Sequence, residues 1–249
     1  MSTKIRLVTF DALHTLITPR KPFHVQYSEV FTPYFGALEP DALARSFKRA
    51  LKQVAVEQPA YKSGVETWWT EVIRRTATGA GADPAVVDKS LKTIVPRLMR
   101  RFSSREGYRL FGDAGPSLRA LEGMGVKTGL VTNADSRILK ALSDLGALKQ
   151  LSPIVVSERE GMAKPSPRMF LLAAERARVM PAETVHVGDD YDEDYVGAKN
   201  AAMHSFLLRR PGEEGKDQPK EPGEDLSQVR VATSLSWVVN WVRKRNEAA

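Results

Sequence analysis

Cysteine is absent from all 249 residues. That absence excludes disulfides, cysteine-ligated zinc, iron–sulfur clusters and a thiol nucleophile, and it fits a reducing compartment. Long apolar runs are absent as well. None approaches the roughly 18 residues needed to span a bilayer, so no membrane association is expected. The chain opens Met1-Ser2-Thr3-Lys4 and enters an apolar run at Ile5. This reads as a chain without a signal or transit peptide, and an intracellular, cytoplasmic location is expected. No internal repeat is visible, and nothing fixes an oligomeric state.

What is present is the balance of a soluble globular protein: 42% apolar and 27% charged residues, enough to build a core. The length suits one large domain or two small ones. The 37 Lys and Arg outnumber the 30 Asp and Glu, giving +7. Residues 17–105 hold 15 of the basic and 8 of the acidic residues. This internal segment therefore carries the whole excess, and the remainder is neutral. No recognised nucleic-acid motif or basic–aromatic groove pattern accompanies it, so nucleic acid is not an expected partner. The expected partner is a small anionic substrate drawn by the local charge.

The chain has two textures. Ile5–Phe10 is a short β-rich run ending at Asp11, which predicts a strand with a carboxylate at its C-terminal end. From about Pro22 to Phe102 the spacing is helical. Asp41 is the expected cap of one helix, Trp68, Val72 and Ile73 mark a second, and Asp83-Pro84 starts a third. After Gly107, strands and helices alternate. Strands are expected at Val126–Thr132, Ile154–Val156, Thr184–Val187 and His204–Leu208, with helices between them. Arg209–Gln228 is rich in Pro, Gly and charge and reads as a mobile loop. Repeated strand–helix units imply an α/β fold: a Rossmann-like, doubly wound parallel sheet. The expected division is a core domain at 1–16 and 106–249, with an inserted helical cap at 17–105.

In such sheets ligands bind outside the carboxyl ends of the strands. Asp11, Thr132-Asn133, Lys164 and Gly188-Asp189 all fall there. Each alone is weak, since an Asp after a strand is more often a cap or turn former. The run Asp189-Asp190-Tyr191-Asp192-Glu193-Asp194 packs carboxylates whose mutual repulsion a divalent cation would relieve. It reads equally well as a solvated loop leading into a helix N-terminus.

Taken in order, Asp11-Ala12-Leu13-His14-Thr15-Leu16, then Leu130-Val131-Thr132-Asn133, then Lys164-Pro165, then Val187-Gly188-Asp189 with Asp194, the motifs resemble those of the haloacid dehalogenase superfamily. Val187–Leu207 is similar to a branch of it with fungal members. The resemblance implies that Asp11 is a nucleophile forming an aspartyl-phosphate. It implies that Thr132 and the Asn133 backbone bind phosphoryl oxygens, and that Lys164 supplies positive charge there. It further implies a Mg²⁺ held by Asp11, Asp189, Asp194 and the backbone carbonyl of Leu13.

One position departs from the family pattern. Its phosphatases carry a second Asp two residues after the nucleophile as general acid and base, and here that position is Leu13. Such catalysis is typically worth ~10²–10⁴-fold. The expected activity is therefore a weak Mg²⁺-dependent phosphohydrolase on a small phosphorylated metabolite, favouring good leaving groups. A non-catalytic binder of a phosphorylated ligand or protein partner is the alternative, and a 2-haloacid dehalogenase the third reading. His14, expected in an extended segment, would point away from the position-13 side.

Overall fold

The structure, a computed structural model, describes residues 3–220 and 223–249. Its strands are β1 (Leu7–Phe10), β2 (Ile17–Pro19), β3 (Tyr108–Leu110), β4 (Lys127–Thr132), β5 (Ile154–Val156), β6 (Thr184–Gly188), β7 (His204–Leu208) and β8 (Val231–Ala232). Its helices are α1 (Phe23–Phe35), α2 (Pro40–Glu57), α3 (Val65–Gly79), α4 (Pro84–Arg101), α5 (Ala114–Gly123), α6 (Arg137–Asp144), α7 (Ser157–Glu160), α8 (Pro167–Ala177), α9 (Gly197–Asn200) and α10 (Leu235–Glu247). No helix among the described residues is long and apolar enough to cross a membrane.

The chain forms two compact units: Met1–Thr18 with Leu110–Ala134 and Leu145–Ala249, and Pro19–Arg109 with Asp135–Asp144. The sequence-based division kept α6 with the core, but here it belongs to the second unit. Its ends explain why. The Asp144 carboxylate accepts from the Arg105 backbone N–H at 2.7 Å, and an Arg137 nitrogen lies 3.2 Å from the Met99 sulfur.

In the first unit six parallel strands run in the order β5-β4-β1-β6-β7-β8. Strand β1 is buried along its whole length, as expected of a parallel strand covered on both faces. Leu7, Val131 and Val155 pack against Met169, Phe170 and Ala173 of α8 and Ala198 of α9. Gly129 lets β4 approach its neighbour: a Cβ there would stand 2.9 Å from the Pro153 carbonyl. The chain winds from β1 out to β4 and β5, then returns to β6, β7 and β8 on the other side. The reversal falls at β1, so the carboxyl ends of β4, β1 and β6 flank the place where such folds bind ligands.

Two local expectations are corrected. Arg209–Gln228 is tied down where it is described: Arg210 and Gln218 are each 4% exposed, and Arg209 pairs with Glu224 at 2.6 Å. Glu221 and Pro222 of that stretch lie outside the described residues. The segment expected as one helix from Asp194 begins instead as a π-helical turn, Tyr191–Val196, followed by the short α9.

In the second unit α1, α2 and Phe102, which follows α4, build an aromatic core. Phe23 stacks on Phe47 at 5.4 Å, and Tyr27 packs on Phe47 and Phe102. The cap of α2 is Glu39 rather than Asp41, because its carboxylate accepts from the backbone N–H groups of Asp41 and Ala42. Asp83 caps α4 as its sequence predicts. Arg45, Lys48, Arg49 and Lys52 are exposed along α2.

Candidate active site

Three adjacent strands deliver the polar residues. Asp11 follows β1, Thr132 ends β4, and Gly188 ends β6 just before Asp189. Lys164 arrives from the loop between α7 and α8, and Asp194 from the π-helical turn. Asp11, Asp189 and Asp194 are all buried, and each offers an oxygen within 4.8 Å of the others. The Lys164 ammonium stands among them, 2.8 Å from Asp11 Oδ1 and 2.5 Å from Asp194 Oδ1. Gly188 makes room: a Cβ there would lie 2.1 Å from Asp194 Oδ2, so no larger residue fits without moving that carboxylate.

The charges are mutually dependent. Burial pushes Asp11 above the ordinary carboxylate value and Asp194 adds to it, while Lys164 and the Thr132 hydroxyl oppose the rise. Asp189 is pushed well up by burial and by the charges of Asp11 and Asp194. Against the same burial, Lys164 and His186 hold Asp194 low. Lys164 resists its own desolvation because Asp11 and Asp194 hold its proton, and its value is raised. Glu193, half-buried beside the cluster, is pushed up to about 7, mainly by burial. One ammonium does not neutralise three carboxylates: burial first, and the neighbouring negative charges second, keep Asp11 and Asp189 raised.

This donor set fits a hard divalent cation. The backbone adds a second fitting feature. Along the turn after β1, the carbonyls of Ala12, His14, Thr15, Leu16 and Ile17 each accept a hydrogen bond. Among the described residues, the Leu13 carbonyl accepts none. It is the free oxygen of that turn, two residues from Asp11.

The structure thus brings Asp11, Thr132, Lys164, Asp189 and Asp194 together. Asn133 stands beside them in a different part: its side chain clamps the Lys164 backbone, accepting from the Lys164 N–H at 2.7 Å and donating to the Lys164 carbonyl at 3.0 Å. His14 does not continue an extended segment. It sits in the left-handed region at φ 59°. Burial lowers its value, although Asp217 and Asp11 pull the other way.

The haloacid dehalogenase-like hydrolase family model matches residues 5–202. The chain belongs to the haloacid dehalogenase-like hydrolase family. It is 32% identical over 239 residues to haloacid dehalogenase-like hydrolase domain-containing protein 3 of Bos taurus, covering 94% of this chain and 92% of that one. It is 31% identical to the glyceraldehyde 3-phosphate phosphatase of Methanopyrus kandleri, over 89% of each chain. Among solved structures, the 2-haloacid dehalogenase of Pseudomonas syringae superposes with a TM-score of 0.62 at 23% identity, covering 97% of this chain and 99% of that one. At that identity the likeness speaks for the fold alone.

Sequence reasoning about this hydrolase missed a supporting layer. His186, fully buried in β6, faces Asp194 Oδ1 through Nε2 at 3.0 Å and the Thr9 hydroxyl through Nδ1 at 2.9 Å. A neutral ring with its proton on Nε2 satisfies both contacts, and burial lowers its value accordingly. The Thr15 hydroxyl donates to Asp189 Oδ1 at 3.3 Å. The available signal was a histidine in the middle of an otherwise apolar strand. In the second unit, Trp69 donates to Asp135 at 2.8 Å with the Arg137 guanidinium 4.2 Å above its ring, whereas Trp68 is core.

Proposed function

We propose that this hydrolase is a Mg²⁺-dependent phosphohydrolase acting on a small phosphorylated metabolite through an aspartyl-phosphate at Asp11. The observation that carries the reading is the buried cluster of Asp11, Asp189 and Asp194 around Lys164. Those three carboxylates and the Leu13 carbonyl would hold the metal, and Mg²⁺, when bound, would supply charge neutralisation at the phosphoryl oxygens. The phosphatase name of the Methanopyrus kandleri relative supports the same class of substrate.

The chain's own residues then divide the work. An Asp11 oxygen bonds to phosphorus as the phosphorus–oxygen bond to the leaving group breaks, its electron pair departing with that oxygen. Water next adds to phosphorus and the bond to Asp11 breaks, giving phosphate and the free carboxylate with loss of a water proton. Lys164, fixed by Asp11 and Asp194, presents its ammonium to the transferring group. Thr132 and the Asn133 backbone bind the phosphoryl oxygens, and the Asn133 side chain keeps the Lys164 segment in place. Leu13 has no proton to give, so the departing oxygen must tolerate negative charge. Acyl and aryl phosphates meet that condition best, and simple alkyl esters would turn over slowly.

The test is a panel of acetyl phosphate, p-nitrophenyl phosphate and glyceraldehyde 3-phosphate, with and without Mg²⁺. Mg²⁺-dependent release of phosphate, fastest for the first two, is expected. No turnover on any member rejects the reading.

Leu13 favours a second reading: a member that binds a phosphorylated ligand or a protein partner without turning it over. Strong activity created by Leu13→Asp in an otherwise inert protein would favour it. The full set of carboxylates speaks against 2-haloacid dehalogenase activity, because attack on carbon needs no such cation. Halide release from a 2-haloacid checks that directly.

A further inference from the structure

The turn carrying Leu13 is held from far along the chain. Strand β7 lies beside β6, with Leu207 opposite Gly188, so the residues after β7 emerge next to the acidic loops. There two consecutive arginines diverge. Arg209 donates from Nη1 to the Asp189 carbonyl and from Nη2 to Glu224. The Arg210 side chain is 2% exposed and lies 3.8 Å over the Phe111 ring. It grips Asp113 at 2.8 and 3.1 Å and donates to the Thr15 carbonyl at 3.1 Å. Asp113 is itself fixed by the Leu235 N–H at 2.8 Å. Gln218 accepts from the Arg210 N–H at 2.9 Å and donates to the His14 carbonyl at 3.3 Å. Gly215 permits this fold-back, since a Cβ there would stand 1.8 Å from the Arg210 carbonyl.

Resting on the metal reading above, we propose that this segment is a strap that aims the free Leu13 carbonyl, with Arg210 and Gln218 as its positioning residues. His14 follows Leu13 in the left-handed region at φ 59°, an unfavourable conformation for a residue with a Cβ, which persists only where its surroundings enforce it. Its N–H is bonded to Ile17 and its carbonyl to Gln218, and the next carbonyl is bonded to Arg210. The direction of the Leu13 carbonyl depends on the same peptide unit. Without the strap His14 is released to relax, and the Leu13 carbonyl, part of the same peptide unit, moves with it. Stability alone does not require an arginine here, because apolar residues in place of both Arg210 and Asp113 could replace such a buried ion pair without loss. Directed hydrogen bonds to the backbone do require one.

Mn²⁺ binding to the full-length protein, followed by electron paramagnetic resonance, tests the strap. Native protein, Arg210→Met, Gln218→Met and Asp189→Asn are compared, each checked for a cooperative thermal transition. Outer-shell partners of metal ligands typically change affinity by ~10–100-fold. Native protein is expected to bind Mn²⁺, Asp189→Asn to lose binding, and both strap variants to bind about 10-fold more weakly. Their kcat is expected to return toward native at saturating metal, which a general loss of structure would not allow. Gln218→Met, the milder change, carries the test if Arg210→Met does not fold. Native affinity in the folded strap variants overturns the strap and leaves the metal reading standing. No binding by native protein overturns both.

Discussion

Lys164 and Asp11 meet at 2.8 Å in the interior of the first unit, the ammonium 2% exposed and the carboxylate 11%. The same ammonium holds Asp194, so it is set directly against two of the three clustered buried carboxylates. Lys164→Met removes it. Breaking a buried ion pair from one side costs about 3–5 kcal/mol, and that loss is expected in urea unfolding without divalent metal. Added Mg²⁺ should restore part of it. Unaltered stability of the metal-free variant would mean that the cluster does not depend on this lysine.

Gly188→Ala is predicted to disturb the site with little change elsewhere. The added methyl needs space now held by Asp194, 2.1 Å away. Overpacking of this kind typically costs about 1–3 kcal/mol, and here the displaced group is a candidate ligand. Thermal unfolding should shift down modestly while Mg²⁺-dependent phosphate release falls steeply. Equal turnover in the variant would show that Asp194 has another place to go.

The second unit offers a pH-dependent prediction. Asp135 accepts from Arg137 Nε and Nη2 and from Trp69 Nε1, each at 2.8 Å. Burial would raise it, but Arg137 and Trp69 hold it below the ordinary value of 3.8. The folded protein therefore releases this proton more readily than the unfolded chain. The stabilisation is full above the ordinary value and is lost as pH falls through the lower folded one. Asp135→Asn should cost about 3–5 kcal/mol near neutral pH, the range for a broken buried pair. That gap should narrow in acid, as followed by urea unfolding at several pH values. A gap independent of pH would remove the ion pair as its cause.

Five of the six strands of the sheet, all but β8, and the principal candidate-site residues were legible because both are local. Short β-rich runs ended at Asp11, Thr132 and Asp189, and neighbouring parallel strands bring such ends together. What remained hidden depended on distant partners. Arg210 lies in a stretch whose Pro, Gly and charge suggest mobility, yet it is buried because Phe111, Asp113 and Thr15 receive it from elsewhere in the chain. The left-handed turn at His14 has no glycine or asparagine to announce it. Helix α6 joins the second unit through Arg137 and Asp144, contacts that its own amphipathic pattern does not encode.

Leu13→Asp addresses the departure from the family pattern. An acid restored at this position should speed alkyl phosphate hydrolysis by ~10²-fold or more, within the usual range for general acid–base catalysis. Aryl phosphates, with better leaving groups, should gain much less. An equal gain on both would place the limitation outside proton transfer.

Asp11 as the phosphorylated residue is the central claim, and one measurement reaches it most directly. Protein mixed with acetyl phosphate and Mg²⁺ is quenched in acid, digested, and its Asp11 peptide analysed by mass spectrometry. The account predicts a phosphoryl group on Asp11, absent without Mg²⁺ and absent in Asp11→Asn. Phosphate release by Asp11→Asn at the native rate, with no modified peptide in either protein, would contradict it.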